Sequence, residues 1–532
     1  MSIRINNVTI KLEEDRDLLK GRIAKKLKIK ESEIKSFKIL KESLDARKKH
    51  DIKFVYCLEV ECKNEEKLVA RLKDNDIKMD KPVYEVDIVP GDKELENRPV
   101  VVGFGPAGIF AALTLAEKGY RPIVIERGED VDKRTETVDN FWKTGKLNLE
   151  SNVQFGEGGA GTFSDGKLTT RIKDIRCDYV LRKLVEAGAP EEITYIAKPH
   201  VGTDLLKGVV KNIREKIKAL GGEVLFSHKL EKINTKDGKL KSIIVNGKEI
   251  PCDNLILAVG HSARDTYEML YENNLDIQAK AFAVGVRIEH PQEIINISQY
   301  GDMHKHEKLK AAEYKLVYQS KNLNRSVYSF CMCPGGVVVA ASTEEGRLVS
   351  NGMSYHARDL ENANSALVVT VGPDDFEGDS PLRGMEFQRK YEELAFKLTG
   401  SYKAPVQLLG DFMEDRVSTE IGRVKPSYTG GYVFEDLRKC LPSYVVEALK
   451  EAIVDFDRKI KGYGDKDAVL TGIETRTSAP IRMNRDESLQ STSIKGLYPT
   501  GEGAGFAGGI ISAAVDGIKA AEKIIEGYKP LI

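Results

Sequence analysis

From Val100 the chain reads VVVGFGPAGIFAALTLAEKGYRPIVIE, ending at Glu126, and no other stretch restricts the fold as strongly. Val100 to Val102 are a short apolar run suited to a buried parallel strand. Gly103, Gly105 and Gly108 follow as G-x-G-x-x-G. Gly103 permits the tight turn from strand to helix. Gly105 has no side chain to hold a pyrophosphate off the backbone, and Gly108 lets the helix lie close on the sheet. Ile109, Ala112, Leu113 and Ala116 recur at helical spacing, and Gly119 ends the helix as a C-cap. Ile123 to Ile125 form the next strand. Glu126 stands at its end, where it can accept hydrogen bonds from both hydroxyls of an adenosine ribose. A strand before the glycines, a helix after them and an acid at the next strand end turn a weak pattern into a dinucleotide-binding unit. The acid argues against a 2′-phosphate but does not separate NAD from FAD.

A chain of 532 residues holds about two or three domains. Its formal net charge of zero gives no global field for nucleic acid or an anionic membrane. MSIRINNVTI has no apolar signal core, and no apolar run approaches membrane-spanning length. Seven scattered cysteines do not make a disulfide framework, so a cytoplasmic protein with reduced thiols is expected.

Residues 1–90 read as a small domain of their own. Ile3 to Leu12, Ile34 to Lys41, Ile52 to Cys62 and Val83 to Ile88 are predicted strands, with helices over Leu18 to Leu27 and Asn64 to Leu72. The order βαββαβ is ferredoxin-like, and the polar residues 91–98 read as a linker. Lys20 to Lys49 holds twelve basic residues against four acids. That is either a footprint for RNA or an acidic partner, or a solvated face, and the lack of interleaved aromatics favours the latter.

Beyond Glu126, helices are predicted near Val138 to Trp142, over Cys177 to Ala187 and over Thr203 to Leu220. In QFGEGGAGTFSDGKLTTR, Gly156, Gly158, Gly159 and Gly161 crowd ahead of Thr162, Ser164, Asp165 and Lys167. Their freed N–H groups suit an anion-binding concavity, with a plain surface loop as the other reading. Asp237-Gly238 signals a hairpin. Leu255 to Val259 is a buried strand running into Gly260, His261 and Ser262. Residues 281–464 have a mixed α/β texture and are the expected substrate domain. There Phe282 to Ile288 is a strand, and Arg325 to Met332, Cys333-Pro334-Gly335-Gly336 and Val337 to Ser342 form an expected hairpin. Residues 465–532 return to the glycine-rich style. A strand and turn over Gly496 to Gly503 precede a helix opened by Gly508-Gly509.

Taken together, VVVGFGPAGIFAALTLAEKGYRPIVIER, FGEGGAGTFSDGKL, LILAVGHSARD, SFCMCPGG, GIETRTSAPIR and GLYPTGEGAGFAGGI resemble the two-dinucleotide-binding-domain flavoproteins. The nearest resemblance is to the bacterial FAD-dependent dehydrogenase family, distantly like geranylgeranyl reductases and aromatic hydroxylases. It covers most of residues 99–532, and SLDARKK resembles the family's leader domain. It implies an α/β architecture: a Rossmann-like FAD-binding domain over 99–280 and 465–532, with the 281–464 substrate domain inserted. It implies non-covalent FAD. Gly103, Gly105, Pro106, Ala107 and Gly108 would face the pyrophosphate, and Glu126 with Arg127 the adenosine end. Gly158, Gly159, Ser164 and Lys167 would form the glycine-rich cofactor loop. Val259 and Gly260 would form the middle turn, where the family usually has A-T-G. Gly501 and Glu502 match the late motif, in which relatives usually have Asp. Gly508, Gly509 and Ile510 would bring a helix start to the flavin.

Flavin supplies hydride chemistry, and the protein supplies position and electrostatics. Cys331 and Cys333 lie two apart on a predicted strand and so share a face. They read as a redox or nucleophilic pair, or as packing cysteines. Arg476, Arg482 and Arg485 read as a clamp for a carboxylate or phosphate, or as surface ion pairs. Tyr328 and Tyr498 read as flavin walls or aromatic core, and His261 as a proton-transfer candidate. No cysteine or histidine set stands at metal-ligand spacing. Of the G-x-G-x-x-G runs, which begin at Gly103, Gly156 and Gly503, only the first stands between two apolar strand runs with an acid after the second. No C-x-x-C is present, and the one C-x-x-x-x-C, Cys57 to Cys62, lies in the predicted leader domain away from the fingerprint. NAD(P)H, if it is a transient donor, therefore binds without a Rossmann domain of its own. The expectation is an FAD-dependent oxidoreductase passing hydride between flavin and a small organic substrate. A flavin hydroxylase, or an FAD-containing protein that binds RNA or a partner, is the alternative.

Overall fold

The computed structural model describes residues 2–80 and 88–531. Five parallel strands make the first sheet, in the order Leu497–Pro499, Leu255–Leu257, Val100–Val102, Ile123–Ile125, Glu223–Leu225. The first four are three-residue apolar or near-apolar runs, as expected for strands covered on both faces, whereas the edge strand Glu223–Leu225 opens on an exposed acid. The helix Pro106–Glu117 is buried from Ala107 to Ala116, not on one stripe alone. It is pressed between this sheet and the helix Ile510–Gly527, so its sequence is apolar all round.

After Glu223–Leu225 a three-stranded antiparallel sheet follows, over Leu230–Lys236, Lys239–Val245 and Lys248–Pro251. Its first turn has Asp237 and Gly238 at φ of 54° and 69°, the positive pair of a type I′ hairpin. The chain then builds a seven-stranded sheet in the order Val317–Ser320, Arg325–Cys333, Asn362–Val371, Phe282–Pro291, Val469–Glu474, Ala404–Leu408, Tyr432–Phe434. This sheet runs past the expected boundary at 464, because Val469–Glu474 pairs with Phe282–Pro291 and Ala404–Leu408.

The expected hairpin across Cys333-Pro334-Gly335-Gly336 does not form. Arg325–Cys333 pairs with Val317–Ser320 and Asn362–Val371, while Gly336–Ala340 pairs with Ser350–Ser354 in a separate two-stranded sheet. Gly335 at φ 44° turns the chain out of the plane of the first strand.

The leader has strand order Ile34–Asp45, Lys53–Cys62, Ile3–Lys11, Ile77–Met79, all antiparallel, which is ferredoxin-like. Its fourth strand is Ile77–Met79. The strand expected over Val83 to Ile88 falls outside the described residues except for Ile88. The leader is not held by a loose tether. Leu12 and Ile52 share a buried cluster with Phe282, Val286 and Leu316. Residues 91–98 are tied to the C-terminus: Gly91 N–H donates to Ile525 O at 2.9 Å and Lys529 N–H to Lys93 O at 2.8 Å.

Candidate functional site

A cleft of about 650 Å³ is lined by the turns after the parallel strands and by the edge of the seven-stranded sheet that carries Phe330, Cys331 and Glu474. Of the residues expected at a cofactor, Gly103, Gly105, Pro106, Ala107, Glu126, Arg127, Gly159, Ser164 and Lys167 line it. So do Val259, Gly260, Glu502, Gly508, Gly509 and Ile510. Gly108, Gly158 and Gly501 do not, and they shape the walls from behind. A Cβ on Gly108 would stand 1.8 Å from Gly103 O, so only glycine lets the helix approach this turn. Gly103 itself needs φ 97°, and its own Cβ would meet Ala258 O at 2.3 Å.

Two helices begin at the cleft without a side-chain cap: Pro106–Glu117 from Gly105 and Ile510–Gly527 from Gly509. Neither has an acid in its first turn. The free N–H groups and the positive dipole ends are thus left for a ligand with negative charge. A Cβ added at Gly105, Gly508 or Gly509 would meet no protein atom closer than 3.7 Å, so the open space at these positions belongs to the cleft. Gln154 Nε2 is buried on the cleft wall with no protein acceptor, a donor available to a bound group. These features fit a dinucleotide.

Glu126 is buried, and its carboxylate already accepts from Phe104 N–H at 2.8 Å, Gly128 N–H at 2.9 Å and Gly156 N–H at 2.9 Å. A carboxylate offers about four lone-pair sites. Three are taken, which leaves about one for a ribose hydroxyl where two were expected, and Glu126 also locks the glycine-rich loop to the strand end. Arg127 is held by Asp265 at 2.8 and 3.0 Å and by Glu150 at 2.8 Å, with its guanidinium over the Phe155 ring at 4.2 Å. Lys167 donates to Met332 O and lies 3.5 Å from Glu313.

The expected arginine clamp does not assemble. Arg482 is exposed and rests on Phe506, while Arg485 pairs with Asp516 at 2.7 and 2.9 Å. Only Arg476 reaches the cleft. Its Nε and Nη2 donate to Glu392 at 3.1 and 2.9 Å and its Nη1 to Thr343 at 2.6 Å. Glu392 also receives Arg264, at 2.7 and 2.8 Å. His261 lines the cleft beside this cluster. Burial, reinforced by Arg476 and Arg264, pushes its imidazole down to about 3, so it stays neutral. Tyr328 and Tyr498 do not line the cleft; Tyr314 and Phe330 do.

Two acids on the wall have raised affinity for a proton. Burial lifts Glu474 to about 7 against the pull of Arg287, and burial lifts Glu502 to about 7 against Lys280. Cys331 lines the cleft, whereas Cys333 sits fully buried behind it. Sequence reasoning missed Gln154, Glu474, Glu313, Tyr314 and Lys198. One signal was available: Arg287, Glu289 and His290 interrupt an otherwise apolar strand, and Arg287 is the partner that ties down Glu474. Among the described residues no group of histidine, cysteine and acidic side chains is arranged to hold a metal, and no helix is long and apolar enough to cross a membrane.

Residues 97–281 match the pyridine nucleotide-disulphide oxidoreductase family, residues 281–477 the FAD-dependent protein, C-terminal domain-like family, and residues 2–61 a domain of unknown function. A Clostridium beijerinckii protein, described as an uncharacterized protein, is 69% identical over 530 residues, 99% of each chain. Among solved structures, glycerol-3-phosphate dehydrogenase from Bacillus halodurans complexed with FAD is 12% identical, covering 83% of this chain and 67% of that one at a TM-score of 0.35. Glycine oxidase from Bacillus cereus is 11% identical, covering 80% and 95% at a TM-score of 0.29. The two enzyme-family matches adjoin at residue 281 and between them take in the G-x-G-x-x-G turn and the seven-stranded sheet, so the chain belongs to the bacterial FAD-dependent oxidoreductase family and its cofactor is FAD.

Proposed function

We propose that the protein passes a hydride between FAD in this cleft and an organic substrate admitted beside the seven-stranded sheet. The observation that carries this reading is the division of the cleft walls. One side offers uncapped helix starts and glycine turns suited to a dinucleotide. The other offers Cys331, Glu474, Tyr314 and Phe330, side chains suited to bind and orient a second molecule. Bound FAD supplies hydride acceptance and donation.

The chain's own residues then do the rest. Gly103, Gly105 and the first turn after Pro106 would hold the pyrophosphate, and Glu126 one ribose hydroxyl. Arg127 would cover the adenosine end, while Ser164 and Lys167 line the path along the glycine-rich loop. The middle turn at Val259 and Gly260 and the late turn at Gly501 and Glu502 would flank the ribityl chain. The helix start at Gly508, Gly509 and Ile510 would face the flavin's electron-rich edge. Arg476, neutralised by Glu392, would orient a polar substrate group through its remaining N–H bonds. Glu474 and Glu502, with proton affinities near neutrality, can each hold or release a proton.

NAD(P)H enters this reading as a transient donor in the same cleft. Anaerobic stopped flow of the yellow protein against NADH, NADPH and pooled metabolites tests it. Bleaching of the flavin by at least one organic hydride donor is expected, and no bleaching by any would refute the reading. Oxygen uptake strictly coupled to NAD(P)H would instead favour a hydroxylase.

A further inference from the structure

In a regular strand, residues two apart stand about 6.6 Å from each other with parallel side chains. Their sulfurs then do not meet. At Cys331 and Cys333 the strand is not regular. The ladder against Asn362–Val371 breaks between Phe330 and Cys333, and Cys331 takes φ 46°, which few non-glycine residues adopt. A break of this kind re-aims a side chain. Cys331 turns onto the cleft wall, and the Cys333 thiol behind it donates to the Cys331 carbonyl oxygen at 3.3 Å.

Charge is built around the pair. Arg287 is fully buried; its Nη2 donates to Cys331 O at 2.8 Å and lies 3.9 Å from Cys333 Sγ. A side chain at position 352 would stand 2.4 Å from Nη2, so Gly352 is what admits the guanidinium. Lys167 donates to the carbonyl of Met332, between the two cysteines. Cations at a thiol favour the thiolate. Cys333 beside it, and then, against burial, Arg287 and Lys167, hold the Cys331 thiol below its usual value, while the same pairing and burial push the Cys333 thiol up. Burial pushes up the thiols of Cys57, Cys62, Cys177, Cys252 and Cys440, and none of these lines the cleft.

We propose that Cys331 and Cys333 are a redox couple that exchanges an electron pair with the FAD of this cleft, a step that rests on the cofactor reading above. In the oxidising direction the Cys331 thiolate and the Cys333 thiol form one S–S bond. The two electrons and the Cys333 proton pass to oxidised FAD, giving the anionic reduced cofactor. The reverse step breaks the S–S bond and returns FAD to its oxidised form. Cys331 is the sulfur on the wall and the one open to a thiol or disulfide entering the cleft.

The test uses the FAD-loaded protein, oxidised with ferricyanide, desalted and titrated anaerobically with dithionite. Wild type should take up about four electrons per flavin, a pair for each two-electron couple. Cys331→Ser and Cys333→Ser should each take up about two. Samples quenched in acid and alkylated with N-ethylmaleimide should show both cysteines labelled together at the reduced end and neither at the oxidised end. Wild type alone decides the matter if a variant fails to fold. Uptake of about two electrons by wild type, or equal labelling at both ends, overturns the couple while a yellow protein leaves the cofactor reading standing. A colourless protein overturns both.

Discussion

Glu392→Gln probes the cluster that holds Arg476 at the cleft. Glu392 has no exposed surface, and Arg264 and Arg476 are exposed by 1% and 3%. Its oxygens receive two hydrogen bonds from Arg264, two from Arg476, and one from Thr475 at 2.6 Å. The paired guanidiniums hold its carboxyl far below the usual range despite burial. Because the folded affinity for a proton is depressed, this contribution is present above the unfolded carboxyl value of about 4.3. It is lost as pH falls through the folded value. Glutamine removes the charge and turns an NH₂ group toward guanidinium donors. Breaking a buried pair from one side costs about 3–5 kcal/mol. For the seven-stranded region, at about 2–4 °C per kcal/mol, the melting point should fall by roughly 6–20 °C at neutral pH. Two probes follow it: flavin fluorescence on release, and Trp142, the chain's one tryptophan, whose indole N–H donates to Ala340 O at 3.0 Å. Glu393→Gln is the control, since its pair with Lys397 is exposed and screened by water. A drop under about 2 °C for Glu392→Gln would refute the reasoning, because it would price the buried pair like a surface one.

Gly108→Ala should abolish the yellow colour of purified protein, because its Cβ would stand 1.8 Å from Gly103 O and displace the turn; FAD content by absorbance checks it, and full occupancy would count against the close-packing argument. Gly509→Val should lower the flavin midpoint potential and slow reduction while FAD is retained: valine fits the extended backbone at φ −170° but fills the space before the helix N–H groups. Dye-coupled titration of both proteins measures this, and an unchanged potential would mean that the helix start does not face the flavin. Glu502→Gln should flatten the pH dependence of stability in FAD-depleted protein. Its folded affinity for a proton is raised by burial, so wild type loses roughly 3 kcal/mol as pH rises from about 4.5 to about 7. Denaturant midpoints at both pH values that change equally in the two proteins would rule this out.

What was legible in the sequence was what is local. The turn at Gly103, the helix after Pro106 and the hairpin at Asp237-Gly238 each depend on residues a few positions apart, and each is where the pattern placed it. The buried strands are short and uniformly apolar, so burial on both faces could be read directly. The partners of Arg325–Cys333 were not legible. The strand is followed by a glycine pair that imitates a hairpin signal, yet its neighbours are Val317–Ser320 and Asn362–Val371. The kink at Cys331 has no glycine to announce it. Arg476 reads as a free clamp until Glu392, 84 positions away, is brought against it. Pairings of that range are set by packing, which no local period records.

The same division explains why the cofactor could be read and the substrate could not. The dinucleotide side of the cleft is made by contiguous motifs whose glycines are forced by backbone approach. The opposite wall gathers Lys198, Tyr314, Cys331 and Glu474 from four separate segments. The leader bears on that wall as well. Glu42 N–H donates to Tyr195 O at 2.8 Å and Ala197 N–H to Glu42 O at 2.7 Å. That bridge grips the segment immediately before Lys198, which lies 2.7 Å from Glu313 on the cleft wall. Lys308 anchors the leader a second time through Asp15 at 2.7 Å, a few residues before Glu313 and Tyr314. A βαββαβ domain that looks detachable by pattern is thus fastened to the two segments that carry the substrate-side residues. Among its described residues none lines the cleft, so the leader meets that wall from behind, through these two contacts.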